Sequence, residues 1–169
     1  MNNWRWKGML AAAIALPALS GVAWADNNDG CSNATLKGQY AFGVTSYTPP
    51  GQPNGPPQVV AGIKDFDGKG NFTQRDYIGD SLRTIGQTDF STGETGTYTV
   101  NSNCTGSAVI NLNVPGAPPG TGVIKVIFVI SNGGRHIHEV VSEFIPPFST
   151  PQPTQTSADD WKVGSEQDN

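Results

Sequence analysis

Residues 122–145 read GVIKVIFVISNGGRHIHEVVSEFI. The first ten are almost continuous in Val, Ile and Phe, and Asn132-Gly133-Gly134 interrupts them. The remainder alternates, with Ile137, Val141 and Ile145 on one parity. Two long β-prone runs around a turn of residues that accept positive φ make an antiparallel hairpin. A helix would need apolar residues spaced by three and four instead.

The same period of two extends outward from this hairpin. Upstream, Ala108, Ile110, Leu112 and Val114 alternate within 106–114, and Thr97-Tyr98-Thr99-Val100 lies within 94–101. Further runs cover 81–90, 71–78, 58–66 and 36–47, the last with Tyr40, Phe42 and Val44 on one face. Asp67-Gly68-Lys69-Gly70 and Ser102-Asn103-Cys104-Thr105 have hairpin-turn chemistry. No helical stretch is present to make the crossovers that parallel strands require. The expectation is an all-β fold, an eight-stranded antiparallel up-and-down barrel, with a two-sheet sandwich as the alternative.

Composition agrees with this. The chain has 21 Gly and 13 Pro in 169 residues, and only 14% charged residues. Apart from Pro17, the prolines fall at 49–57, 115–119 and 146–153, outside every run. That is where proline belongs if the runs are hydrogen-bonded strands. The loops at 49–57 and 115–119 are candidates to cover a barrel mouth. Gly43, Gly62 and Gly86 fall inside runs, where curvature can use them. A formal charge of -4 without a basic face argues against nucleic acid as a partner.

The chain divides into three parts. Residues 1–25 read as a secretory signal peptide: Arg5 and Lys7 are followed by an apolar stretch and by Ala23-Trp24-Ala25 before the cleavage point. Residues 26–145 form the barrel domain. Residues 146–169 read as a disordered, Pro-rich acidic tail, too polar to offset its ordering entropy, with Trp161 as its one large apolar residue. The exported protein would be secreted or periplasmic, with no membrane partner after cleavage. In such a compartment Cys31 and Cys104 are expected to pair; free thiols or a metal pair are the alternatives.

Three segments carry a family resemblance: Cys31-Ser32-Asn33-Ala34-Thr35-Leu36-Lys37-Gly38-Gln39-Tyr40, Phe66-Asp67-Gly68-Lys69-Gly70-Asn71, and Gly96-Thr97-Tyr98-Thr99-Val100 with Asn103-Cys104-Thr105-Gly106. Together they resemble a group of secreted bacterial proteins similar to the allene oxide cyclase-like barrels, whose architecture plant dirigent proteins share. The resemblance spans residues 31–145. It implies a small antiparallel barrel whose lumen holds an apolar guest. No catalytic motif of either plant family maps onto this chain residue by residue.

Few residues suggest chemistry. His136 and His138 share one side of a strand, but a metal site needs three or four ligands. The partners Asp76 and Asp89 lie on other runs at unknown distance, so no metal and no cofactor is assigned. The bland reading is a pair of exposed histidines. Glu139 and Glu143 share parity with Ile137, Val141 and Ile145. If that parity faces the lumen, burial raises their pKa and makes them candidate catalytic acids or bases. The opposite parity, carrying His136, His138 and Val140, is the other choice. Tyr77, Tyr98, Arg75 and His138 are candidate ligand contacts, with Arg83 as a further anion contact. Asp65, Asp67, Gly68, Gly70 and Asn71 loosely resemble a calcium loop, but a hairpin turn explains them better. Two function classes result: a lumenal binding or structural barrel for a small apolar ligand, and an isomerase or cyclase acting on such a molecule. Oligomeric state is not legible.

Overall fold

The computed structural model describes residues 30–47, 58–79, 89–113, 116–147, 150–152 and 154–164. Residues 1–25, Gly86 and Arg83 lie outside the described residues, so the signal-peptide expectation and those two positions have no structural counterpart here. The strands are β1 (Lys37–Tyr47), β2 (Gln58–Asp67), β3 (Asn71–Gly79), β4 (Ser91–Val100), β5 (Thr105–Leu112), β6 (Gly122–Ser131), β7 (His136–Ile145) and β8 (Gln155–Lys162). Each pairs antiparallel with the next, and β8 pairs with β1, from Tyr40 opposite Lys162 to Tyr47 opposite Gln155. The eight strands therefore form a closed up-and-down barrel. Closure excludes the two-sheet sandwich, which would leave free sheet edges.

Two expectations about the strands need correction. The run over 81–90 is not the fourth strand where it is described: Asp89 and Phe90 precede β4, which begins at Ser91. The eighth strand comes instead from the segment read as a disordered tail, so the barrel extends to Lys162 rather than ending at residue 145. Sequence reasoning failed there because β8 has little apolar signature. Its buried side chains are Ala158 and Asp160, with Thr156 half-buried. The strand gains its place from main-chain hydrogen bonds to both neighbours and from an ion pair to Asp160.

One end of the barrel is closed by a floor. Tyr40, Phe66, Phe72 and Tyr98 pack there with ring centroids 5.1–5.2 Å apart around Phe66. Such pairs contribute roughly 0.5–1.5 kcal/mol each beyond their burial. The phenol ends reach the short turns that cap this end. Tyr98 Oη lies 3.0 Å from both the Asn33 and Leu36 carbonyls, and Tyr40 donates to the Gly134 carbonyl. Cys31 and Cys104 are disulfide-bonded, with Cα atoms 4.9 Å apart, which ties the first cap to the β4–β5 turn. The β2–β3 turn belongs to the same end. Asp67 Oδ1 accepts from the amides of Lys69, Gly70 and Asn71, with Asn71 also reaching its other oxygen. These bonds, those from Asn71 first, hold its carboxyl down to about 2. That carboxylate is occupied by the turn.

Three interior glycines make room for rings. Gly62, Gly96 and Gly106 stand opposite Phe42, Phe72 and Phe128 on adjacent strands. A Cβ at any of them would come within 2.1–2.4 Å of the facing ring. Gly62 thus serves close packing rather than curvature alone. Gly43, by contrast, has nothing near it.

Candidate lumenal site

Above the aromatic floor the interior changes character. The next interior positions carry Lys64, Gln74, Asp76 and Glu94 on β2–β4, and Glu139 and Asp160 on β7 and β8. All six are buried, Asp160 completely. Register places Lys64 opposite Tyr40 and Gln74, Gln74 opposite Glu94, and Asp160 opposite Phe42 and Ile137. They form a charged waist across the barrel.

Lys64 spans it. Its Nζ lies 2.6 Å from Glu139 Oε2 and 2.8 Å from Asp160 Oδ2, and 4.9 Å from the centre of the Phe42 ring. Burial is the largest influence on the ammonium and would lower its pKa. The attraction of Glu139 and Asp160 outweighs it, so Lys64 sits above its ordinary value and stays charged. Burial pushes Asp160 the other way, up to about 7, against the pull of Lys64 and with a further push from Glu139. One ammonium thus serves two carboxylates.

The opposite wall carries the second group. Gln74 Nε2 donates to Glu94 Oε2 at 2.8 Å and to Asp76 Oδ2 at 3.3 Å. Burial, and then the neighbouring Asp76, push Glu94 up to about 7, beyond what the hydrogen bond from Gln74 offsets. Glu94 therefore exchanges a proton near neutrality. Gln74 Oε1 and Asp160 Oδ1 are buried and accept no hydrogen bond among the described residues.

The parity of β7 is settled by a bulge. Val126 pairs with Val141 but Lys125 pairs with Glu143, so Ser142 is skipped. Glu139 faces the lumen and Glu143 faces out, ion-paired with Lys125 at 2.5 Å. The expectation that Glu139 and Glu143 share one face is corrected by that extra residue, which reverses the alternation. Tyr98 is interior but belongs to the floor. Arg75 and Tyr77 lie on the outer face of β3, Tyr77 6.2 Å from the Phe90 ring.

His136 and His138 are also outside. His136 Nε2 and His138 Nδ1 each donate to Asp159 Oδ1 at 2.9 Å, and these bonds, His138 first, hold Asp159 low. The His136 ring stacks on Trp161 at 4.0 Å. Trp161 thus packs against the outer face of the barrel as part of β8 and stays half exposed. Among the described residues no group of three or more His, Cys, Asp and Glu side chains is arranged to hold a metal.

Among the waist residues the sequence pointed to Glu139, as a candidate acid or base, and to Asp76, as a candidate metal partner. Parity held a further signal: Lys64 shares parity with Phe66, Gln74 and Asp76 with Phe72, and Glu94 with Tyr98. A polar residue on the apolar parity of a strand marks this kind of site. Asp160 carried no such mark.

The protein is thus, by architecture, a closed eight-stranded barrel with a charged interior waist. No protein-family model matches the chain, and neither curated proteins nor solved structures yield a match.

Proposed function

We propose that this chain is an exported barrel that binds a small, mainly apolar ligand in its lumen. The buried waist is the observation that carries this reading. Ion pairs in an interior are commonly no better for stability than well-packed apolar residues, so the fold alone does not call for six polar side chains at its centre. Beyond the waist the interior positions turn aliphatic again, with Val60, Leu112, Ile124 and Val141. A ligand entering from the end away from the disulfide would meet aliphatic walls first and polar groups beneath. The resemblance to allene oxide cyclase-like barrels points the same way. Export is supported by the N-terminal Arg5, Lys7 and Ala23-Trp24-Ala25 pattern and by the disulfide, which a reducing cytosol would not maintain.

The test is titration with the fluorescent apolar probe N-phenyl-1-naphthylamine. Saturable one-to-one enhancement is expected, lost in Val60→Trp, which fills the aliphatic tier. Absence of saturable enhancement would leave a purely structural barrel, and its persistence in a folded Val60→Trp would place binding outside the lumen and overturn the reading.

A second reading, an isomerase or cyclase, is favoured by one observation: Glu94 is buried beside Asp76, and burial and that neighbour together push its carboxyl up to about 7, in the range suited to proton transfer at neutral pH. Solvent-deuterium exchange into 2-decanone, followed by proton NMR, addresses it. Exchange above the buffer rate that Glu94→Gln abolishes supports acid–base chemistry, and exchange at the buffer rate ends that reading.

A further inference from the structure

We propose that the lumenal ligand carries a cationic amine head, seated at the waist against Glu94 and the side-chain oxygen of Gln74, with its apolar body among the aliphatic positions above. This rests on the lumenal-binding reading and adds the chemical class of the ligand.

Hydrogen-bonding capacity supplies the first argument. Gln74 donates both its bonds to carboxylates, so its Oε1 is identified by chemistry and points away from them as an acceptor. That oxygen is buried and receives nothing among the described residues, and the same holds for Asp160 Oδ1 on the facing wall. Among the described residues no buried side-chain nitrogen lacks a partner. The waist therefore offers acceptors and asks for donors. An ammonium, with three donors and no acceptor, matches that demand better than a hydroxyl or a carbonyl.

Charge is the second argument. One cation, Lys64, serves the two carboxyl groups of Glu139 and Asp160, and Asp160, pushed up to about 7 by burial, is left only partly ionised at neutral pH. Glu94 accepts only from the neutral Gln74, and no cation lies against it among the described residues. An anionic head would face this excess of carboxylates, whereas a cationic one would complete it. Glu94 near 7 fits the same picture: an ammonium beside it favours the ionised form, so binding at neutral pH would release protons. The aliphatic tier is the natural place for the apolar remainder.

Three probes that share one chain and differ in head separate the alternatives: octylamine, octanol and octanoate, each competing with N-phenyl-1-naphthylamine for the full-length exported protein. Octylamine is expected to displace the probe at a concentration about tenfold below octanol, as a charged hydrogen bond exceeds a neutral one, with octanoate weakest. Glu94→Gln should reduce the advantage of octylamine over octanol by about fivefold, with a cooperative thermal transition showing that the variant is folded. Gln74→Leu, read the same way, is the second variant. Equal displacement by octylamine and octanol, or better displacement by octanoate, would overturn the cationic head and leave lumenal binding standing. Saturable probe binding that no octyl compound displaces would also overturn it, whereas failure of the naphthylamine probe itself would remove the underlying reading.

Discussion

Lys64 occupies an interior position that a filled barrel would give to an aliphatic side chain. Removing it leaves Glu139 and Asp160 together without a cation. Lys64→Met is expected to cost about 3–5 kcal/mol in urea unfolding, the usual penalty for stranding buried charge. The triple variant Lys64→Met, Glu139→Gln, Asp160→Asn should recover most of that loss. A single-variant cost under about 1 kcal/mol would mean that the carboxylates simply take up protons. Glu94 makes a separate statement about pH. Its pKa rises from 4.5 to about 7 on folding, so between those values the folded chain binds more protons than the unfolded one. Stability must then fall as pH rises through that window. Asp160, raised from 3.8 to about 7, acts in the same direction. Asp67 and Asp159, both lowered, act oppositely: their contribution is lost as pH falls below the ordinary carboxylate range. The melting temperature should therefore be higher near pH 5 than near pH 8, and Glu94→Gln should narrow that difference. A profile identical to wild type would remove Glu94 from the account.

At the scale of the strand, β8 and the β7 bulge decide what the interior contains. β8 closes the sheet between β7 and β1 and delivers Asp160 to Lys64. A chain ending at residue 154 should therefore expose two unpaired edges and strand the Lys64 cluster at once. Loss of cooperative thermal unfolding and elution as aggregates on a sizing column are expected. A monomer with a sharp transition would show that seven strands suffice. The Ser142 bulge is subtler: one skipped residue sends Glu143 out to Lys125 while Glu139 stays in. Alternation in the sequence identified β7 and its two faces, but a bulge leaves no trace in alternation. The runs at 58–66, 71–78 and 122–131 were legible because β-prone apolar residues alternate along them or fill them between turn residues. β8 was not, because its stability is borrowed from neighbours rather than from its own apolar face.

For the whole molecule, the disulfide and the aromatic floor hold one end of the barrel shut. Cys31 and Cys104 are 73 positions apart, and closing such a loop stabilises by about 4 kcal/mol in the chain-entropy model. Full reduction should lower the melting temperature markedly without abolishing the far-UV signal of the sheet. An unchanged melting temperature would mean that the Tyr40 and Tyr98 hydrogen bonds hold the floor unaided. By itself the sequence determined an antiparallel all-β fold, from the period of two, the turn residues and the prolines confined to loops, with barrel and sandwich both open. These are local signals, written within a few residues of where they act. Only the tertiary structure decided what lies in the lumen. Lys64, Gln74, Glu94, Glu139 and Asp160 come from five different strands, and of these five only Glu139 was read as a candidate site residue. Their meaning is set by barrel closure, which places them on one side of the sheet and removes them from water, and no stretch of sequence encodes that meeting locally.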